Sequence, residues 1–318
     1  MGGSGSRMAR PTERGSLKRT TDITNAFAPR KAYDIPMTPT LTIPLHINPQ
    51  NANVNYDVKL PKYAGRTLYV CTPLKDRRVD VTFMTAFLDA SRMLEAKGLA
   101  ILFHPVAEGG IVLARNRGLH AFLESAATDF LFLDDDLQFL PEAVEGLLDA
   151  KEDFVAGAYP ARSTNWDLLF DRIRAGIVKS PEDAAVLSSP LQVRFENWTQ
   201  TQRPEIRGRY IEATEVGAGA ILLSRAAVER LAAASPKYLH MGGNGDAEEM
   251  HAAIVTTDLE ELDGKLRWWG EDFNLCRKWR LKCGGRIWID MLSRFGHTGP
   301  ATFSSISIGE AITRERNG

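Results

Sequence analysis

Residues 128–136 read Thr-Asp-Phe-Leu-Phe-Leu-Asp-Asp-Asp, an apolar run that leads directly into three aspartates. A strand with one exposed face would alternate apolar and polar residues. Four consecutive bulky apolar side chains therefore predict a strand that is buried on both faces. Asp134, Asp135 and Asp136 then lie at the C-terminal end of that strand. In open α/β sheets, ligands bind at this edge.

The three adjacent carboxylates repel one another at neutral pH, so they require water, a cation or a proton to remain together beside a buried strand. Capping of the next helix explains them poorly, because Pro141 and Glu142 are typical of a first helical turn and place the cap near Leu140. A solvated acidic turn is one alternative. The alternative that we favour is a site for Mg²⁺ or Mn²⁺ beside a phosphate-bearing substrate.

Strand patterns and helix patterns alternate along most of the chain. The predicted strands are 67–71, 99–103, 129–133, 154–159, 215–223 and 286–290. The predicted helices are 79–94, 111–125, 141–150, one that Ser224 caps and one that follows Asp272. This alternation predicts an α/β fold with a doubly wound, mostly parallel sheet. Between 164 and 209 the periodicity fails, so we expect an insertion or long loop that carries substrate contacts.

The N-terminal segment differs in composition from the rest of the chain. Residues 1–7 look like a cloning remnant, and residues 8–65 are rich in Pro, Thr and Asn, which predicts an extended arm. Residues 1–31 contain seven basic and two acidic residues, a local charge of +5. The arm either wraps around the domain, which we favour because residues 41–47 alternate like an edge strand, or serves a partner such as DNA.

The bulk composition limits the classes of protein to which the chain can belong. With 318 residues, of which 44% are hydrophobic, the chain can bury a sizeable core. A net charge of -1 argues against a nucleic-acid or membrane footprint over the whole protein. The three cysteines lack the paired spacing of a zinc site, and no apolar run approaches the roughly 20 residues of a membrane span. We expect a cytoplasmic protein with its main domain over 66–300 and a tail over 301–318.

A second acidic pair, Glu271 and Asp272, follows two tryptophans. The helix dipole favours acidic residues in a first turn, so capping alone would explain the pair. We favour a functional role, because tryptophans beside a loop are costly unless a ligand stacks on them. His297 lies past the last predicted strand, where the chain can fold back across the sheet edge and add an imidazole to a carboxylate metal site. The small residues around Gly219 permit close approach of a ligand to the backbone.

Together these residues resemble nucleotide-sugar-dependent glycosyltransferases of the GT-A fold, similar to family 2 and with a galactosyltransferase-like segment. The resemblance covers residues 67–300. It rests on Thr72-Pro73, Ala114-Arg115-Asn116, Asp134-x-Asp136, and Trp269-Gly270-Glu271-Asp272 with His297 downstream. It implies transfer of a sugar from a nucleotide diphosphate sugar, with a UDP-sugar foremost, to a hydroxyl of a glycan or another acceptor. It also implies Mn²⁺ or Mg²⁺ as cofactor and an inverting reaction.

The resemblance implies roles for individual residues. Asp272 is the implied base and Glu271 an acceptor contact. The implied metal ligands are Asp134, Asp136 and His297, and the expected donor-binding residues are Thr72, Pro73, Arg115, Asp134 and Asp135. Trp268 and Trp269 offer flat faces that suit a sugar ring, and we expect them to bind the acceptor together with Gly219. The chain departs from the galactosyltransferase pattern at Phe273, where a further acidic residue would stand.

Three other functions stay open. A retaining GT-A transferase would need no base on the acceptor side. A haloacid-dehalogenase-type phosphatase also uses two aspartates after a strand, but its nucleophile follows the first strand, and here the acids come after two earlier strands. A non-catalytic DNA-associated or virion factor would act through the basic arm, which lacks interleaved aromatics for stacking on bases. A transferase that glycosylates hydroxylated bases in DNA would combine the arm with the catalytic domain.

Overall fold

A computed structural model describes residues 60–75, 77–107, 109–196, 198, 203–240, 249–299 and 306–317. The N-terminal remnant and nearly all of the expected arm therefore lie outside the described residues. In chain order the strands are β1 (Thr67–Pro73), β2 (Ala100–Val106), β3 (Asp129–Leu133), β4 (Leu137–Phe139), β5 (Phe154–Gly157), β6 (Val193–Arg194), β7 (Ile206–Arg207), β8 (Tyr210–Ala213), β9 (Glu215–Val216), β10 (Ala220–Ser224), β11 (Lys237–His240), β12 (Glu249–Ala252), β13 (Asp258–Leu262), β14 (Lys265–Trp269), β15 (Ile287–Asp290) and β16 (Phe295–His297). The helices are α1 (Val81–Glu95), α2 (Ile111–Glu124), α3 (Pro141–Asp149), α4 (Trp166–Arg174), α5 (Pro181–Leu187), α6 (Arg225–Ala233), α7 (Glu271–Arg277) and α8 (Ile308–Asn317).

Eight of these strands form one central sheet in the order β2-β1-β3-β10-β5-β15-β8-β7. Strand β1 pairs in parallel with β2 and with β3, and β5 pairs in parallel with β15. Strand β10 lies antiparallel between β3 and β5, so these two run in the same direction. The predicted mostly parallel α/β sheet is therefore confirmed.

The sheet is covered on both faces, as the packing of strand β3 shows. Its side chains alternate between two cores: Phe130 and Phe132 pack into one, and Leu131 and Leu133 into the other. Helices α2, α6 and α7 contribute to the first core, and α1 and α3 to the second. Burial of all five β3 residues follows from this doubly wound arrangement and agrees with the uninterrupted apolar run.

The helix starts follow local sequence signals. Asp80 caps α1 by accepting hydrogen bonds from the amides of Thr82 and Phe83, as an N-cap aspartate does. Pro141 opens α3, and Leu140 is its N-cap. The acidic triplet is therefore not the cap of this helix, as the position of the proline predicted. Ser224 caps α6 through the amide of Ala227, which confirms that prediction.

Two predicted segments differ from the structure. The stretch 164–209, expected to be irregular, contains α4 and α5, whose N-caps Asn165 and Ser180 are ordinary helix-start residues. The predicted strand 215–223 is divided into β9 and β10 by a glycine-containing break. A side chain at Gly219 would meet the ring of Tyr159 at 2.8 Å, so close packing of this ring requires glycine there.

Smaller elements were not predicted from the sequence. In the part of the chain that the structure describes, four antiparallel pairs lie outside the central sheet: β4–β16, β6–β9, β11–β12 and β13–β14. The C-terminal segment, expected to be a tail, includes helix α8. Cys71, Cys276 and Cys283 are all free thiols. Among the residues that the structure describes, no helix combines the length and the apolar character that crossing a membrane requires.

Candidate active site

A cleft of about 700 Å³ opens at the C-terminal ends of β1 and β3, beside the first turns of α2 and α7. This is the edge at which ligands bind in open α/β sheets. Eight of the site residues predicted from sequence line it: Pro73, Arg115, Asp134, Asp135, Asp136, Glu271, Asp272 and His297. Thr72, Gly219, Trp268 and Trp269 are not among its lining residues. The cleft thus brings together segments that are far apart in the sequence.

Arg115 joins the two acidic segments. Its Nη2 lies 3.1 Å from both carboxylate oxygens of Asp134, and its Nη1 lies 3.1 Å from Oε1 of Glu271. The arginine side chain is only 4% exposed, and its guanidinium lies over the ring of Phe132 at 5.5 Å. A buried cation between two carboxylates offsets their repulsion. Arg115 therefore holds the acidic triplet of β3 next to the start of α7.

Asp136 has a cationic partner of its own. Arg162 Nη1 lies 2.7 Å from Asp136 Oδ2, and His297 Nε2 lies 3.3 Å from Asp136 Oδ1. Burial by itself would raise the pKa of Asp136, but the hydrogen bond with His297 and the charge of Arg162 bring this pKa below its ordinary value. Asp136 is therefore ionised at neutral pH and available to bind a cation.

Backbone pairing positions His297 at the cleft. In the β4–β16 pair, His297 lies opposite Leu137, directly after the acidic triplet. The amide of Thr298 donates to the carbonyl of Asp136 at 2.7 Å. His297 Nδ1 lies 2.9 Å from the carbonyl oxygen of Pro160, which can only accept, so Nδ1 carries a proton. The other nitrogen, Nε2, faces Asp136 at 3.3 Å. It donates to that carboxylate when it carries a proton, and it offers a lone pair to a metal when it does not.

Asp135 also lines the cleft, but its environment differs from that of Asp136. Burial is the main cause that raises the pKa of Asp135 to about 6, and the charges of Asp136 and Asp134 add to it. Behind the triplet, the Asp134 amide donates to the Gly219 carbonyl at 2.9 Å. Gly219 therefore supports the backbone of the acidic residues, whereas the sequence analysis expected it to contact the acceptor.

Asp272 and Glu271 begin helix α7, whose N-cap is Gly270. Burial raises the pKa of Asp272, and the nearby charge of Glu271 raises it further. Gly270 has no capping side chain, and Asp272 Oδ1 accepts a hydrogen bond from the amide of Phe273 at 2.7 Å. A carboxylate with a raised pKa at the wall of a cleft is a candidate general base.

The two tryptophans point to opposite sides of the β13–β14 hairpin, since neighbouring residues of a strand alternate. Trp269 is 4% exposed, and its Nε1 donates to Glu260 at 2.8 Å. The guanidinium groups of Arg267 and Arg277 lie over the Trp269 ring at 4.1 and 4.0 Å. Trp269 is thus occupied by protein contacts. Trp268, by contrast, is 62% exposed.

Thr72 lies in β1, immediately before the cleft residue Pro73. Its side chain is fully buried, and its hydroxyl oxygen has no hydrogen-bond partner among the residues that the structure describes. The hydroxyl is therefore enclosed by the protein, whereas Pro73 itself reaches the cleft.

Several cleft residues were missed by the sequence analysis. Lys75 and Arg162 add positive charge, and Tyr159 adds an aromatic ring that meets His297 edge-on at 5.3 Å. Lys75 and Arg162 follow the C-terminal ends of β1 and β5, a position that could have identified them. Gly109 and Gly110, which directly precede the predicted helix 111–125, also line the cleft. Gly110 is the N-cap of α2 and offers no capping side chain, so the first amides of α2 remain available to an anion.

The donor set of the cleft suits a hard divalent cation. Asp134 and Asp136 offer carboxylate oxygens. His297 offers Nε2 of its imidazole, because its other ring nitrogen, Nδ1, is hydrogen-bonded to the carbonyl oxygen of Pro160. Oxygen ligands with one imidazole match Mn²⁺ and are compatible with Mg²⁺. The chemistry of these side chains therefore fits such a cation, and in the structure Asp134 and Asp136 are each paired with an arginine.

No protein-family model and no curated protein matches the chain. Among solved structures, A197 from STIV aligns with a TM-score of 0.41 and 15% identity, covering 75% of this chain and 90% of that one. A Bacillus anthracis protein assigned as a glucose-1-phosphate thymidylyltransferase, in complex with sucrose, aligns with a TM-score of 0.33 and 11% identity, over 79% and 95% of the two chains. A glycosyltransferase involved in glycosylation of the major capsid of PBCV-1 aligns with a TM-score of 0.25 and 8% identity, over 52% and 62%. Similarities this distant assign no function.

Proposed function

We propose that this protein is a metal-dependent glycosyltransferase that moves a sugar from a nucleoside-diphosphate sugar, with a UDP-sugar foremost, to an acceptor hydroxyl with inversion. One observation carries the proposal. Arg115 bridges Asp134 and Glu271, which are contributed by distant segments, and thereby brings a carboxylate–imidazole donor set next to a buried acid in one cleft. Sugar transfer from a nucleoside diphosphate requires a part of the cleft that binds the sugar donor beside a part that activates the acceptor hydroxyl.

The donor half would be formed by the acidic triplet and the cations around it. Asp134, Asp136 and His297 would hold Mn²⁺ or Mg²⁺, which offsets the charge that develops on the leaving diphosphate. Lys75 and Arg162 line the same cleft and can pair with phosphate oxygens. The uncapped amides at the start of α2 supply further donors to an anion. These cations also explain how a cleft with so many carboxylates accepts an anionic donor.

The acceptor half would be formed at the start of α7. Asp272 would take the proton of the acceptor hydroxyl while the hydroxyl oxygen forms a bond to the anomeric carbon. The bond from that carbon to the diphosphate oxygen breaks, and its electron pair leaves with the diphosphate. Glu271, fixed by Arg115, would orient the acceptor. With the proposed base and the leaving group on opposite faces of the sugar, the product anomer would be inverted.

The rival functions have less support. A phosphatase of the haloacid-dehalogenase type needs a carboxylate nucleophile after the first strand, but the cleft residues at the end of β1 are Pro73, Leu74 and Lys75. A non-catalytic DNA-associated factor would depend on the basic arm, which lies outside the described residues. The acceptor stays open between a glycan and a hydroxylated base in DNA.

The proposal is tested by incubating the protein with a panel of nucleotide sugars and Mn²⁺ and measuring release of the nucleotide. We expect turnover of at least one donor, and its loss in excess EDTA. Asp136→Asn should abolish the turnover. Asp171→Asn is a matched control, because Asp171 is an exposed helical aspartate that pairs with nearby Arg174 away from the cleft. Undiminished turnover in EDTA, or equal loss in both variants, would refute the assignment.

A further inference from the structure

A second group of potential metal ligands lies away from the cleft, where α2 meets the β11–β12 hairpin. It consists of His120 from α2 and Glu249 and His251 from β12, and their ligand atoms all lie within 4.8 Å of one another. Glu249 Oε2 lies 3.4 Å from His120 Nε2 and 3.2 Å from His251 Nε2. Ligands about 2.0–2.2 Å from a tetrahedral ion are separated by distances close to these.

The three side chains differ in burial in a way that suits an ion-binding site. His251 is 1% exposed, whereas the side chains of His120 and Glu249 are 22% and 57% exposed. The Nδ1 atom of His251 is buried and has no partner in the described part of the chain. The other nitrogen of the ring, Nε2, faces Glu249 at 3.2 Å, so Nε2 is the atom that this cluster offers to an ion.

Stacking accounts for the position of the His251 ring. It lies between His120, with ring centroids 3.6 Å apart and planes 22° from parallel, and His240, at 4.6 Å and 10°. Arg117 Nη1 lies 2.9 Å from His240 Nε2. A guanidinium can only donate, so His240 Nε2 accepts that bond and is not available to a metal. The stack therefore leaves His120 and His251, together with Glu249, as the ligands.

We propose that His120, Glu249 and His251 form a zinc site that fastens strand β12 to helix α2. Two imidazoles and one carboxylate are a known ligand set for Zn²⁺, whereas Mg²⁺ prefers oxygen ligands. Ligation requires the two stacked rings to open toward one ion. His120, which reaches solvent, is the ring that can turn. Three protein ligands leave a fourth position for water, on the side where Glu249 is exposed.

Zinc at this position would reinforce a connection that the protein already makes. Asn116, four residues before His120 on α2, exchanges two hydrogen bonds with the backbone of Val255, at 2.7 and 2.9 Å. The same helix presents Arg115 to the cleft. A metal between α2 and β12 would therefore stabilise the helix that carries a residue of the proposed active site.

The test measures binding of Zn²⁺ by the full-length chain after treatment with a chelator, in an Asp136→Asn background that removes the proposed cleft site. Calorimetry should give one equivalent of Zn²⁺, and Co²⁺ in its place should give the visible spectrum of a four-coordinate ion. His120→Ala and Glu249→Gln should each weaken Zn²⁺ binding by roughly 10- to 100-fold or more. Both positions are exposed enough for the variants to fold, which thermal melting checks.

A matched control is Glu229→Gln, because the Glu229 side chain is 56% exposed, close to the value for Glu249, and lies on another helix. This control should bind Zn²⁺ with the same affinity as the Asp136→Asn protein. The inference is overturned if the Asp136→Asn protein binds no Zn²⁺, or if His120→Ala and Glu249→Gln bind it as tightly as the control. No step of the test measures sugar transfer, so its outcome is independent of the proposed function.

Discussion

The cleft and the imidazole cluster of His120, Glu249 and His251 both present carboxylate and imidazole groups, but their carboxylates have different partners. In the cleft, the carboxylates of Asp134 and Asp136 pair with the guanidinium groups of Arg115 and Arg162. In the imidazole cluster, Glu249 meets two stacked imidazoles. Arginines beside acids can turn to phosphate oxygens, and imidazoles can act as metal ligands. This difference is why we propose a phosphate-bearing substrate for the cleft and a metal ion alone for the imidazole cluster.

The largest expected effect is the difference in sugar transfer between a variant of the cleft and a variant of the imidazole cluster. Asp136→Asn removes a carboxylate of the proposed cleft metal site, and stabilisation of several kcal/mol by a metal corresponds to about 10³-fold or more in rate. We expect sugar transfer to fall below detection while the thermal unfolding curve stays close to that of the parent. Glu249→Gln, in the imidazole cluster, should keep its transfer rate within about threefold. A comparable loss in both variants would mean that the regions do not act separately.

Asp272→Asn should cause the next largest loss. General-base catalysis contributes about 10²–10⁴-fold, and asparagine keeps the size of the side chain but cannot take the proton. Binding of the nucleotide sugar, measured by calorimetry, should be nearly unchanged because Asp272 belongs to the acceptor half. NMR of the product should show an inverted anomeric centre. A retained configuration would remove Asp272 from the role of base.

His297→Ala should act on metal affinity more than on the chemical step. One of three proposed ligands is lost, so we expect the Mn²⁺ concentration for half-maximal transfer to rise about 10- to 100-fold. Saturating Mn²⁺ should restore most of the rate. His104→Ala is a suitable comparison, because the His104 ring is hydrogen-bonded to the Tyr69 hydroxyl outside the cleft. If both variants needed the same metal concentration as the parent, His297 would be a structural residue.

The smallest expected effect is the pH dependence of kcat, which should show which carboxylate acts as the base. As the proposed base, Asp272 would act only when ionised, and burial raises its pKa, so kcat should fall about tenfold per pH unit below that raised pKa. The residual rate of Asp272→Asn should lack this fall. Asp135→Asn should keep it, although Asp135 has a pKa of about 6. A fall that disappears in Asp135→Asn would instead assign the titration to Asp135.

The parts of the fold that the sequence predicted share a strong local signal. The apolar run before Asp134 predicted a strand buried on both faces, because each face of the sheet has its own core. Pro141 likewise fixed the start of α3. The helices α4 and α5 were missed although Asn165 and Ser180 signal their starts, since their short lengths give little periodicity.

The candidate site was only partly predictable, for reasons of tertiary structure. Residues that follow strand ends, such as Asp134, meet at one edge once the sheet is parallel. The role of Trp269 could not be predicted, because no local pattern indicates that β14 turns this side chain toward Arg267 and Arg277. The imidazole cluster was invisible for the same reason, since the β11–β12 hairpin that brings His251 to α2 has weak alternation.

The proposed function requires the cleft to bind a divalent cation together with a nucleoside diphosphate. The most direct measurement is an electron paramagnetic resonance titration of free Mn²⁺ against the protein, with and without UDP. Mn²⁺ should bind more tightly in the presence of UDP by about 5- to 150-fold, the usual range for coupled ligands, in the parent and in His120→Ala. Mn²⁺ binding that UDP does not tighten, or that Asp136→Asn leaves unchanged, would contradict the proposed function of the cleft.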